Sequence, residues 1–186
     1  MNPKLLLGLA LVLSGNCHAA IVYPKAPEGG RQIVQAELGD IQRSLRINDL
    51  TIAEPHRYYI VRPEDIAWGH LLSAATFSSW RYILMHGTNG VATVVVLDAD
   101  PKTGQPLREN GWMESESAKI LLNALRLAQT LPQIKEQDYE FRSVGFRTYF
   151  GLWAVWLHGK SDDILMPLNT TDGLNAYQCY SDSSPE

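Results

Sequence analysis

Cysteine and long apolar runs are both scarce in this chain of 186 residues. Its 2 cysteines exclude the disulfide-rich scaffold that many small secreted domains use in place of a large core. The most apolar run, Leu5 to Leu13, is much shorter than the roughly 20 residues that cross a bilayer as a helix, so no permanent membrane span is predicted. Because 45% of the residues are hydrophobic, the chain can form the core of a single domain.

The motifs of common active sites are absent as well. No two of the 5 histidines have the His-x-His or His-x-x-x-His spacing that brings two imidazoles to one metal ion, and HExxH is missing. There is no G-x-S-x-G nucleophile elbow and no glycine-rich phosphate loop. The sequence therefore predicts neither a metal nor a cofactor, and it identifies no catalytic residue.

The N-terminus has the features of a secretory signal peptide. Lys4 supplies a positive charge, Leu5 to Leu13 forms the apolar segment, and mostly small residues lead to Ala19 and Ala20. We expect residues 1–20 to be removed by cleavage near Ala19/Ala20. The mature protein would then be periplasmic or secreted.

A lipid anchor at Cys17 is the alternative to a free mature chain. The lipoprotein signal has a small residue directly before the acylated cysteine, and Asn16 occupies that position here. Acylation at Cys17 would favour a structural envelope component or lipoprotein.

Acidic residues outnumber basic ones. The chain carries 20 acidic and 16 basic residues, and Lys4 is the only charge in the leader, so the mature chain has a net charge of −5. A domain of this sign repels phosphate backbones and anionic lipid surfaces. Nucleic acid is therefore not an expected partner.

Apolar periodicity predicts helices and strands in alternation. Helical spacing covers residues 31–50, 63–78 and 115–130, and strand-like runs cover 57–62, 80–86, 91–97, 139–144, 146–158 and 164–168. Asn89-Gly90, between two of these runs, is typical of a hairpin turn. Both alternate faces of residues 146–158 are largely apolar, which predicts a central strand.

This element order predicts an α+β fold, with a mainly antiparallel sheet of about five strands and two or three helices packed on one face. We expect a linker or loosely docked arm at 21–30, a single domain at 31–169 and a polar C-terminal tail at 170–186.

Five side chains are candidate binding residues because of their type and position. His86 and His158 each end a predicted strand and would meet at one edge of the sheet. Arg142 and Arg147 would bracket an anionic group. Trp112 follows a glycine and precedes an acidic stretch, so we expect it to be exposed, where tryptophan contributes strongly to recognition.

An acidic segment resembles a calcium-binding loop in part. Asp98, Asp100 and Glu109 have the spacing of positions 1, 3 and 12 of an EF-hand loop, but Lys102 and Thr103 stand at positions 5 and 6, where an oxygen ligand and glycine are needed. Aspartate, proline and glycine also build ordinary turns, which is the interpretation we favour. Ion binding by these acids is left open.

The combined features favour a non-enzymatic binding domain for an envelope or secretion-system partner protein. The alternative is an envelope hydrolase that uses an acid pair or a histidine, and this alternative predicts a concave site that gathers the catalytic side chains. Its candidate residues are His70, His86, His158, Glu114 and Glu116.

Overall fold

The computed structural model describes residues 20–62, 72–100, 102, 105–114, 116–146, 153–169 and 175–181. Residues 1–19 of the predicted leader (1–20), most of the predicted 63–78 helix and residues 147–152 lie outside these ranges. None of the described helices is long and apolar enough to cross a membrane.

Two α-helices, one 3-10 helix and ten strands form within the described residues. They are β1 (Ile21–Val22), α1 (Gly30–Leu45), β2 (Leu50–Ile52), β3 (His56–Val61), β4 (Thr76–His86), β5 (Asn89–Leu97), β6 (Arg108–Glu114), α2 (Glu116–Ala128), the 3-10 helix (Pro132–Lys135), β7 (Tyr139–Phe146), β8 (Trp153–His158), β9 (Asp163–Pro167) and β10 (Tyr180–Ser181).

The strands join one mixed sheet, so the fold is mixed as predicted, but the sheet is larger than expected. Its order is β10-β9-β8-β7-β3-β4-β5-β6, with β1 beside β7 and β2 beside β4. β7 runs parallel to β1 and β3, and the other pairs of strands are antiparallel. The prediction of about five strands in a mainly antiparallel sheet is therefore wrong in number, and two of the nine pairs of described strands are parallel. The number was too low because strands of two or three residues are too short to show an alternating pattern. The parallel pairing of β3 with β7 was missed because it joins residues that are far apart in sequence.

The two α-helices cover opposite faces of the sheet, which corrects the prediction that helices pack on one face. Trp80 and Tyr82 of β4 lie in one core with Val34 of α1, whereas Ile83 lies in a second core with Leu121 of α2. Since successive strand residues point to opposite sides, the sheet separates these cores. We call its two sides the α1 face and the α2 face.

The hairpin predicted around residues 80–97 is confirmed, but its turn is two residues earlier than expected. His86 pairs with Asn89, so Gly87 and Thr88 form the turn, and Asn89-Gly90 belongs to β5. Gly87 has φ 58°, and a positive φ at the first central residue is the requirement of a type II′ turn. Gly90 instead allows close packing, because a Cβ there would lie 2.7 Å from the Ala118 carbonyl oxygen of α2.

The predicted helices agree with the structure to different degrees. The prediction at 115–130 is confirmed by α2, whose buried side chains recur at helical spacing. The helix predicted at 31–50 ends at Leu45, because Arg46 adopts the left-handed conformation and caps it. The end of the helix predicted at 63–78 is wrong, since Thr76 begins β4 and pairs with Ile60.

Both termini of the described chain are attached to the sheet. Ile21 and Val22 of the expected arm pair with Tyr139 and Glu140 of β7. In the expected C-terminal tail, Tyr180 pairs with Leu165 of β9. These contacts extend the sheet beyond the predicted 31–169 domain at both ends.

Candidate functional site

A strip of interleaved charged and aromatic side chains crosses the α1 face from β9 to β4. The spacing of two residues within β3, β7 and β8 places their members on the same side of the sheet. In β4, a register shift opposite β3 brings Phe77 to the side of Trp80. We call it the cation–aromatic strip; its members are Arg57, Tyr59, Phe77, Trp80, Glu140, Arg142, Trp156, His158 and Asp163.

Glu140 is the anionic centre of the strip. Arg142 donates hydrogen bonds from Nε and a terminal nitrogen to the two carboxylate oxygens of Glu140, at 2.9 and 3.0 Å. Arg57 of the neighbouring strand donates to the same carboxylate at 3.4 Å. The side chains of Arg142 and Glu140 are only 11% and 19% exposed, so solvent screens this pair less than it screens a surface ion pair.

Aromatic rings hold both guanidinium groups in place. The guanidinium carbon of Arg142 lies 4.6 Å from the ring centre of Trp156 and 5.1 Å from that of Tyr59. The guanidinium of Arg57 lies 5.5 Å from the ring centre of Trp80. These distances are within the range of cation–π attraction. The strip is therefore arranged before any ligand binds.

His158 ends the strip beside a carboxylate. Its Nδ1 lies 2.7 Å from Asp163 Oδ1, and its ring packs edge-on against Trp156. In register, His158 lies between Asp163 on β9 and Glu140 on β7. The His158 side chain is 41% exposed. An imidazole oriented in this way can donate or accept a proton at the surface.

Phe77 forms the exposed apolar end of the strip. It is 40% exposed although it contacts Tyr59 and Trp80 edge-on. It also borders a shallow depression of about 460 Å³ beside Asp98 and Arg108. An exposed ring supported by other rings offers apolar contact area at little cost in side-chain entropy.

The structure brings two of the five predicted binding residues together. Arg142 and His158 both contact Trp156 in the strip. His86 is exposed at the β4 turn, toward the same end of the sheet as His158 but three strands away and about four residues further along the strand direction. Trp112 is half-buried against the core under α1 rather than exposed, and Arg147 lies outside the described residues.

No hydrogen bond or ion pair joins His86, His158 and Glu116, the hydrolase candidates whose side chains the structure describes. His70 lies outside the described residues, and Glu116 is exposed at the start of α2. His86 and His158 are separated as described above. Among the described residues no three histidine, cysteine or acidic side chains are placed to hold a metal ion.

The acids of the calcium-like segment bind backbone N–H groups. Asp98 accepts hydrogen bonds from the Ala99 N–H and from Trp80 Nε1, and Asp100 accepts one from the Lys102 N–H at 2.9 Å. These contacts are those of aspartates in turns. They explain the two residues without an ion.

Sequence reasoning missed the residues that complete the strip. Arg57, Tyr59 and Glu140 were placed in strands without a role. The available signal was the spacing of two in Arg57-x-Tyr59, Glu140-x-Arg142 and Trp156-x-His158, which predicts a shared face within each strand. To predict the whole strip, one would also need to know which strands pair, and strand pairing leaves no local signal in the sequence.

Comparisons with known proteins give no relative from which a function could be inferred. No protein-family model matches the chain, and no significant match was found among curated proteins or solved structures.

Proposed function

We propose that this chain is an exported domain that acts by binding an envelope or secretion-system protein, without a catalytic step. The observation that carries the proposal is the cation–aromatic strip, where exposed Phe77 stands beside arginines already fixed by Glu140 and by aromatic rings. Tryptophan, tyrosine and arginine are the residue types that contribute most to protein interfaces. The export half of the proposal is supported by the leader-like composition of residues 1–20.

The charges of the strip favour a partner with both polar and apolar groups. The side chain of Arg57 is more exposed than that of Arg142. Its only ion pair among the described residues is the 3.4 Å contact with Glu140, and Glu140 also pairs with Arg142 at 2.9 Å. An acidic side chain of a partner could therefore pair with Arg57 while an apolar side chain covers Phe77. Charge pairing of this kind mainly sets specificity and the rate of association.

Affinity capture from the native envelope tests the binding function. The immobilised mature protein should retain a specific protein, and Phe77→Ala and Arg57→Ala should each reduce its recovery at least about tenfold, the effect of losing roughly 1.4 kcal/mol of binding free energy. Leu127→Ala is the matched control, because Leu127 is 39% exposed and lies on α2, away from the strip. Equal capture by wild type and both strip variants would refute the assignment.

A hydrolase is the second candidate, and the His158–Asp163 contact is the observation that favours it. A carboxylate that orients an imidazole is the usual support of a general base. If His158 acts in this way, His158→Asn should lower turnover of p-nitrophenyl acetate at least about a hundredfold. No difference between wild type and His158→Asn would leave the binding function as the better explanation.

A further inference from the structure

A second site lies on the opposite side of the sheet from the strip. A depression of about 320 Å³ opens on the α2 face over strands β3 to β6. Its walls include polar and apolar side chains, among them Tyr58, Ser79, Arg81, Val95, Asn110 and Met113. A volume of this size is at the lower end of the range for small-molecule pockets.

Arg81 is the charged group of this depression, and no carboxylate among the described residues pairs with it. Its guanidinium carbon lies 3.7 Å from the ring centre of Tyr58, and its Nε is buried without a hydrogen-bond partner in the described chain. Arg57 and Arg142, by contrast, both pair with Glu140. No described acid lies within ion-pair distance of Arg81.

The strand residues beside Arg81 do not compensate its charge. His56, its direct cross-strand neighbour, is fully buried, and neither of its ring nitrogens has a partner among the described residues. Ser143, which pairs with Tyr58, has a buried hydroxyl that also lacks a partner there. Burial lowers the pKa of Arg81, which reflects the cost of a desolvated cation without a counter-charge.

We propose that this depression binds a small organic carboxylate. The anion would pair with Arg81, while the apolar part of the ligand would pack on Tyr58, Val95 and Met113. The planar guanidinium of arginine matches the two oxygens of a carboxylate, and pairing is strongest where water is largely excluded. This site does not depend on the cation–aromatic strip, and it extends the function beyond binding a protein.

Isothermal titration of the mature protein tests the proposal. Benzoate supplies the carboxylate and an apolar ring, benzamide is the neutral isostere, and inorganic phosphate is the anion without an apolar part. We expect saturable binding of benzoate, with at least tenfold weaker affinity for benzamide and for phosphate. Equal binding of benzoate and benzamide, binding of phosphate alone, or no binding of benzoate would overturn the proposal.

Substitutions assign the binding to Arg81. Arg81→Gln should lower benzoate affinity at least tenfold, and Arg81→Lys should lower it less, because lysine keeps the charge but cannot form the two-pronged contact. Melting curves check that each variant is folded. Arg43→Gln, at an exposed position on α1, is the matched control and should bind benzoate like the wild type. Unchanged affinity in folded Arg81→Gln would also overturn the proposal. If the strip variants Phe77→Ala and Arg57→Ala captured protein as well as the wild type does, the proposed function would fail but the carboxylate site would not.

Discussion

His56 shows how the fold changes the chemistry of a single residue. Its imidazole is fully buried and packs edge-on against Phe141. Burial, with a smaller effect from the nearby Arg81 charge, lowers the pKa of His56 from its usual 6.5 to about 3. The folded protein therefore holds this histidine neutral at pH values where the unfolded chain protonates it.

The buried imidazole predicts a loss of stability in acid. The unfolded chain binds the extra proton below about pH 6.5, so the contribution is intact above that pH and is lost progressively as the pH falls toward 3. Between pH 7 and pH 5 the wild type should lose about 2 kcal/mol more unfolding free energy than His56→Leu in urea titrations. His86→Gln, at an exposed position, is the control for the removal of a histidine as such. Parallel curves for wild type and His56→Leu would contradict a neutral buried His56.

Gly90 is required for packing rather than for the turn. An added Cβ would meet the backbone of α2 at 2.7 and 2.8 Å, and backbone atoms cannot move away as a flexible side chain can. We expect Gly90→Ala to lower the unfolding free energy by about 1 to 3 kcal/mol. Gly39→Ala is the control, because Gly39 is exposed within α1 with no atom near its missing Cβ; it should raise stability by roughly 0.5 to 1 kcal/mol. Denaturant titration that shows equal effects at both positions would disprove the close-packing role.

At the scale of an element, β1 connects the proposed processing to the fold. The Ala20 N–H donates to Asp138 Oδ1 at 2.8 Å, and the Ala20 carbonyl accepts from the Tyr139 N–H at 3.0 Å. Cleavage after Ala19 would place a charged α-amino group on the Asp138 carboxylate and keep both contacts. Cleavage after Ala20 would remove both hydrogen bonds.

These two contacts favour cleavage after Ala19 over the removal of residues 1–20, so we now expect the proposed exported chain to begin at Ala20. Intact mass and N-terminal sequencing of protein recovered from the envelope or medium measure this directly. In that mature chain, Asp138→Asn should lower the melting temperature slightly, because the new terminal charge loses its partner. A chain that begins at Ile21, or that keeps residues 1–19, would disagree with this expectation.

Elements with a strong local signal were the ones predicted correctly. α2 has apolar residues at helical spacing, and the β4–β5 hairpin joins two β-favouring runs through a short turn. The strand predicted at 146–158 was expected to be central; Phe146 instead ends β7, and residues 153–158 form β8, which lies between β7 and β9. β1, β2 and β10 were missed because two or three residues form strands only where a neighbouring strand supplies the hydrogen bonds.

At the scale of the molecule, the sheet divides the interior into separate cores. Val34 of α1 and Leu121 of α2 are both fully buried, but on opposite faces. We expect Val34→Ala and Leu121→Ala each to lower the unfolding free energy, by roughly 1 to 3 and 2 to 5 kcal/mol. The double variant should show the sum to within about 0.5 kcal/mol, since the side chains share no partner. Denaturant titration that gives a clearly smaller or larger sum would show that the two cores are coupled through the sheet.

The sequence by itself determined the mixed helix and strand character, the net charge, the leader-like N-terminus and the candidates Arg142 and His158. These depend on residue type and on spacing along one segment. Only the tertiary structure decided that β3 runs parallel to β7, that α1 and α2 lie on opposite faces, and that Trp112 is half-buried. It also decided that Arg81 faces a depression where no described residue supplies a counter-charge. The physical reason is that strand pairing joins residues far apart in the chain. The neighbours that give a side chain its charge environment and its burial lie on those other strands.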